Sequence, residues 1–183
     1  YVNFDDKNNP FFYEKKIKKE KFEEKIGLKI SQNQNFIEYS ELGLNYLKDI
    51  SKIIKKNTGG LLLIDYGYDS KKMKNTLKAT SNHKIANVLK DIENTDITHN
   101  INFKLFEKFS KHMGLKNCLT SQKKFLINMG IKQRAEIISK NLNFLKKADI
   151  FYRLERLIGE KQMGNLFKVM LIKNQKNKFK LGF

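Results

Sequence analysis

Gly59-Gly60-Leu61-Leu62-Leu63-Ile64-Asp65-Tyr66-Gly67-Tyr68 decides how this chain is read. Four consecutive large apolar residues without polar alternation suit a short strand buried on both faces, as in a parallel sheet covered by helices. The expected strand spans 61–66. It stops at an acid, an aromatic and a glycine. Ligands of open α/β sheets bind outside the carboxyl ends of the strands, where this reading puts Asp65. Pattern alone leaves Asp65 two roles. It holds a cofactor or substrate group, or it closes an Asx-turn at the strand exit with Gly67 at positive φ. Tyr66 and Tyr68 either line a pocket there or pack at the strand end.

Working outward, a helix is expected from about Ser40 to Lys56. Ser40 caps it, Leu44, Leu47, Ile50, Ile53 and Ile54 recur near helical spacing, and Lys55 and Lys56 suit its negative end. Gly59 and Gly60 are read as its left-handed stop. Helix then strand is half of a βαβ unit. Before it, 1–4 and 11–17 flank the turn-rich Asp5-Asp6-Lys7-Asn8-Asn9-Pro10 and read as a hairpin. Residues 18–30 read as a charged helix or excursion.

After the strand, 67–101 shows no long periodic segment, and such stretches in compact domains are often functional. A helix follows, capped by Asn102, with Phe103, Phe106, Phe109 and Met113 as its core stripe and Gly114 as its stop. Thr120 or Ser121 caps a short helix ending at Gly130. One or two more helices fill 131–158. Residues 166–172 and 178–183 flank the turn Asn174-Gln175-Lys176-Asn177 and read as a closing antiparallel hairpin.

Composition narrows the classes. One cysteine, Cys118, excludes an internal disulfide and CxxC-type zinc sites. No apolar stretch approaches the length of a transmembrane helix. No Gly-x-Ser-x-Gly elbow, GxGxxG or P-loop occurs, and no histidine pair has metal-ligand spacing. The net charge of +18 invites a nucleic-acid reading, but the 37 basic residues are 34 Lys and 3 Arg, spread through helices. Nucleic-acid sites favour Arg for bidentate contacts. A map of surface potential separates one basic groove from scattered lysines. The chain starts at Tyr1 within a strand-like segment, so the expectation is that the protein begins upstream.

His83 is a candidate general base or a solvated loop histidine. Asp96 and Thr98 flank Ile97 before the 102 helix, as a wall of a cleft above the sheet or as a turn. Gly164 reads as a site of tight bending or close backbone approach.

Several segments, in order, resemble one family. They are 59–68, then Thr76-Leu77-Lys78-Ala79 with His83, then Asp96-Ile97-Thr98-His99-Asn100-Ile101-Asn102-Phe103. Thr120-Ser121-Gln122 follows with Phe125-Leu126 and Met129-Gly130-Ile131. Arg156-Leu157-Ile158 and Met163-Gly164-Asn165-Leu166-Phe167-Lys168-Val169 close the series. Together they resemble the C-terminal half of the MidA-like S-adenosylmethionine-dependent methyltransferases, which include the mitochondrial complex I assembly methyltransferase that modifies a protein arginine. The family's Val-Asp-Phe stands here as Ile101-Asn102-Phe103, so position 102 lacks a carboxylate.

The resemblance implies an α/β fold: the fifth to seventh strands of a class I, Rossmann-like methyltransferase sheet, with helices and an N-terminal β-hairpin. It implies a boundary near residue 35, with the hairpin and charged excursion in 1–35 and the methyltransferase half in 36–183. The implied cofactor is S-adenosylmethionine, with its main binding motifs upstream of Tyr1. The implied partner is a protein substrate, with a respiratory complex I subunit as candidate, in bacterial cytoplasm or in the mitochondrial matrix of a eukaryote. Asp65 and His83 are the catalytic candidates; Tyr66, Gly67, Tyr68, Asp96 and Thr98 are the pocket candidates. The rival readings are a basic nucleic-acid-binding module or RNA methyltransferase, and a non-catalytic assembly factor for a respiratory complex.

Overall fold

The computed structural model describes residues 1–14, 16 and 18–183. Positions 15 and 17, at the end of the expected hairpin, lie outside the described residues. In chain order the elements are β1 (Val2–Phe4), β2 (Pro10–Phe12), α1 (Lys19–Ile26), α2 (Glu41–Asn57) and β3 (Gly60–Tyr68). Next come β4 (Lys78–Ser81), β5 (Lys84–Ala86), β6 (Asp96–Thr98), β7 (Ile101–Asn102), α3 (Phe103–His112) and β8 (Lys116–Ser121). Then follow α4 (Gln122–Asn128), α5 (Ile131–Ser139), α6 (Phe144–Ile158), α7 (Met163–Leu166) and β9 (Phe167–Lys173). The chain forms two compact units: Tyr1–Tyr39 with Lys72–Asn100, and Ser40–Lys71 with Ile101–Phe183.

In the first unit, β1 and β2 form the expected antiparallel hairpin. The Asp5 carboxylate accepts from the N–H groups of Lys7 (3.0 Å) and Asn9 (2.7 Å), which fixes the turn. α1 ends at Gly27, whose φ of +71° is left-handed. Part of the stretch with no visible periodicity is a three-stranded antiparallel sheet in the order β5-β4-β6. Its strands hold three or four residues each, too few to display alternation. Asn82 and His83 join β4 to β5, with φ of +48° and +60°. Two consecutive left-handed residues are what a two-residue hairpin loop demands. Buried Thr76 is a hub in this unit. Its N–H and hydroxyl both donate to the Glu38 carboxylate, and its Oγ1 accepts from the Asn100 N–H at 2.9 Å.

The second unit is built on a four-stranded sheet in the order β7-β3-β9-β8. β9 runs antiparallel to both β3 and β8, which therefore point the same way. β7 pairs in parallel with β3 at Gly67 and Tyr68 only. α2 starts at Ser40, whose hydroxyl accepts from the Gly43 N–H at 3.0 Å, and it buries Leu44, Leu47, Ser51 and Ile54. α3 starts at Asn102, whose Oδ1 accepts from the N–H groups of Lys104 and Leu105. Phe103, Val169, Met170 and Ile172 are fully buried and anchor the core. Register places Leu61, Ile172 and Asn117 on one face, and α3 packs there, since Asn117 donates to Ser110 at 2.9 Å.

Several expectations change. β3 continues to Tyr68, and its main neighbour is antiparallel. It is not buried on both faces, because Leu62 and Ile64 are 45% and 49% exposed. The reason is their place in the sheet. From 60 to 66 the edge away from β9 has no partner strand among the described residues. The left-handed residue after α2 is Thr58 at φ +55°, not a glycine. Gly67 is not at positive φ; a Cβ there would meet the Ile101 carbonyl oxygen at 2.2 Å. Residues 178–183 form no strand. The tail instead packs Phe183 on Phe125 with ring centroids 5.3 Å apart, and Gly182 turns at φ +87° against the same ring.

Candidate functional site

The candidate site is the carboxyl end of β3, where Asp65, Tyr66, Gly67 and Tyr68 follow one another on the strand. Asp65 lies across from Lys168 of β9, so their side chains share a face. Its Oδ1 accepts from the Tyr66 N–H at 2.7 Å. A bond to the next residue inside a continuing strand is not the Asx-turn of a strand exit. Tyr66 is half-buried, and its ring meets Phe167 edge-on at 5.5 Å and 88°. Gly67 brings the β3 backbone against Ile101 and the Phe103 ring, a contact that no larger residue allows.

Charges of both signs lie near this strand end, Lys168 on β9 and Asp69 just after β3. Burial pushes the Lys168 ammonium below the usual lysine range, and the Asp69 charge opposes that shift. Lys168 also donates to the Asn165 carbonyl. On α3, Glu107 accepts from Lys104 and Lys111, each at 2.6 Å. Those hydrogen bonds, Lys104 first, hold the Glu107 carboxyl below its ordinary range against partial burial.

The remaining candidates lie in the first unit. His83 is exposed at the tip of the β4–β5 hairpin. Asp96 and Thr98 sit on β6, across from Thr80 and Lys78. Asp96 is exposed and Thr98 half-buried.

Lys168 and Asp69 escaped the reading of the sequence. A lysine between Phe167 and Val169, inside an apolar run, was the available signal for the first. Other motif residues have structural duties. Ser121 caps α4 by accepting from the Lys124 N–H. Buried Gln122 donates to the Leu157 carbonyl at 2.9 Å. A Cβ on Gly164 would meet the Ile158 carbonyl oxygen at 2.4 Å, the close approach expected of it. Among the described residues, no three His, Cys, Asp or Glu side chains group as metal ligands.

A sheet ordered β3-β9-β8, with its last strand antiparallel between two co-directional ones, defines the C-terminal half of a class I methyltransferase-type α/β fold. The model of the family described as "Putative S-adenosyl-L-methionine-dependent methyltransferase" matches residues 1–120, and the chain belongs to that family. It is 26% identical over 130 residues, 70% of the chain, to the protein arginine methyltransferase NDUFAF7, mitochondrial, of Danio rerio, covering 30% of that protein. Two crystal structures from Burkholderia thailandensis share the fold at 21% identity. One, of an uncharacterized protein, matches with a TM-score of 0.77 over 99% of this chain and 50% of its own. The other, of a candidate methyl transferase bound to S-adenosyl-homocysteine, matches with a TM-score of 0.78 over 100% and 48%. The chain thus spans about half the length of these solved structures.

The family's cofactor is S-adenosylmethionine, and no close-approach glycine of the described residues opens a cradle for it. The close-approach glycines Gly67, Gly159, Gly164 and Gly182 are each filled by the chain's own atoms. A cavity of about 750 Å³ lies among α4, α5 and α6, lined by Lys123, Phe151 and Glu155 among others, and takes no residue from the end of β3. Calorimetry on residues 1–183 should show no saturable S-adenosylmethionine binding. Saturable binding by the 183 residues would place a complete cofactor site within them.

Proposed function

We propose that this chain is the C-terminal part of a class I S-adenosylmethionine-dependent methyltransferase that acts on a protein arginine side chain. The observation that carries the reading is the β3-β9-β8 sheet with antiparallel β9, in a chain of this family. The arginine methyltransferase relative from Danio rerio supports the substrate class. Methyl transfer is largely a matter of alignment between donor and nucleophile. In this reading Asp65 is the substrate-facing group. A carboxylate holds a guanidinium through charge-assisted hydrogen bonds and fixes its plane. Among the described residues Asp65 makes one hydrogen bond, to Tyr66, and has a free oxygen for that purpose. His83, Asp96 and Thr98 have the weaker claim, as exposed or half-exposed groups on the small meander. A respiratory complex I subunit is the substrate candidate, on the resemblance alone.

The test uses the full-length protein, labelled S-adenosylmethionine and a proteome extract, with mass spectrometry of the labelled residue. Label on arginine supports the reading; label on RNA or on no macromolecule overturns it. Asp65→Asn keeps the shape and the Tyr66 hydrogen bond but removes the charge. Methyl transfer should fall at least about tenfold, equivalent to roughly 1.4 kcal/mol at the transition state, with the melting temperature nearly unchanged. Undiminished turnover would remove Asp65 from the chemistry, and a collapse in melting temperature would assign it to the fold.

A further inference from the structure

The corner between α5 and α6 is apolar where it is most exposed. Ile137 and Ile138 near the end of α5 are 74% and 51% exposed, and Phe144 and Leu145 at the start of α6 are 81% and 77% exposed. The Asn143 side chain accepts from the Lys146 N–H at 3.0 Å, so the start of α6 is fixed and its first two side chains project from a defined turn. Tyr152, two turns on, also faces solvent, while Ile158 points into the unit. The exposed apolar side chains of α6 thus lie at its start and middle, and its buried residue, Ile158, lies at its end. Scattered apolar side chains are ordinary on protein surfaces, but four large exposed ones within residues 137–145 are a local concentration that calls for an occupant.

The surrounding charge selects that occupant. Residues 131–158 contain seven Lys and Arg against three Asp and Glu. Asp149 is bound by Arg153 at 2.9 Å. Exposed Lys140 lies between the two helices, and exposed Lys146 lies beside Phe144 and Leu145. The whole chain carries +18. Self-association through this corner would bring like charges together. Apolar tips backed by lysines are instead the arrangement that an anionic bilayer receives, with rings and aliphatic chains at the headgroup boundary and ammonium groups on the phosphates.

We propose that the α5–α6 corner is a membrane-docking surface for anionic lipid, inserting Phe144 and Leu145 and holding headgroups with Lys140 and Lys146. No helix of the described residues is long and apolar enough to cross a membrane, and the proposed contact is interfacial. It leaves the end of β3 outside the contact.

Co-sedimentation of the full-length protein with vesicles tests this. Binding to phosphatidylcholine–phosphatidylserine vesicles should weaken with salt and exceed binding to phosphatidylcholine alone by at least about tenfold. Phe144→Ser with Leu145→Ser should weaken vesicle binding about tenfold or more, since burying one such side chain is worth about that factor. Lys140→Glu with Lys146→Glu should weaken binding to the anionic vesicles only. All four positions are exposed, so circular dichroism and melting should match the parent; Phe144→Ala with Leu145→Ala serves if the serine pair does not fold. Absence of vesicle binding by the parent, or equal binding by the variants, overturns the proposal. So does a serine variant that loses self-association or a co-purifying protein while keeping vesicle binding, because the corner then belongs to that partner.

Discussion

Gly67→Ala should lower stability by about 3 kcal/mol, and Gly67→Val by more, despite the small size of the change. A Cβ at this position would lie 2.2 Å from the Ile101 carbonyl oxygen and 2.9 Å from Phe103 Cε2. Ile101 is the residue paired with Gly67 in the parallel β3–β7 ladder, and Phe103 is fully buried one residue after the Asn102 cap. A backbone oxygen cannot swing aside as a side chain can. Relief requires β7 to separate from β3, which drags Phe103 from the core. Overpacking alone typically costs about 1–3 kcal/mol, and displaced backbone adds to it. For a chain of this size the melting temperature should fall by roughly 6–12 °C in calorimetry. An alanine variant that melts with the parent would show that β7 moves freely, and Gly67 would then owe its place to something other than packing.

Phe103→Ala should cost about 3–5 kcal/mol, the range for emptying a buried aromatic site. The ring is fully buried under the end of β3. Chemical denaturation should show a lower midpoint with an unchanged slope. The pair Gly67→Ala with Phe103→Ala should be less damaging than the sum of the two changes. Removing the ring relieves one of the two clashes, and residues in contact couple. The clash with the Ile101 oxygen persists, so the double variant should still be less stable than Phe103→Ala alone. A loss below about 1 kcal/mol for Phe103→Ala would mean that the space collapses readily around it.

What the sequence disclosed followed the range of the forces involved. Helix caps are local, and Ser40, Asn102 and Ser121 all accept the backbone N–H bonds expected of them. The end of α2 was local too and falls one residue beyond the expected Lys56, but the left-handed stop is Thr58 and not the glycines beside it. The α2 stripe shifted by a fraction of a turn: Ser51 is buried, its hydroxyl satisfied by the Leu47 carbonyl, and Ile53 faces solvent. β8 carries polar residues on a half-buried strand and gave no apolar run. The meander of β4, β5 and β6 hides for a similar reason, with Ile85 almost wholly exposed. At the candidate site, Asp65 was legible as an acid ending an apolar run. Lys168 and Asp69 were not, since their relation to that strand end depends on register and on charges brought together only by the folded sheet.

The order of synthesis gives the central place of β9 a temporal meaning. β9 is the last strand of the described residues to leave the ribosome, and β3 and β8 have most of their backbone partners in it. A nascent chain that stops short of Phe167 has two co-directional strands with nothing between them. At about 5–20 residues per second, β3 waits roughly 5–20 s for its neighbour, with the backbone edge that β9 pairs open to any holding chaperone. Truncated products that lack the final strand should then be recognised by proteases as unfinished, whereas a chain that completes it closes the whole sheet in one event.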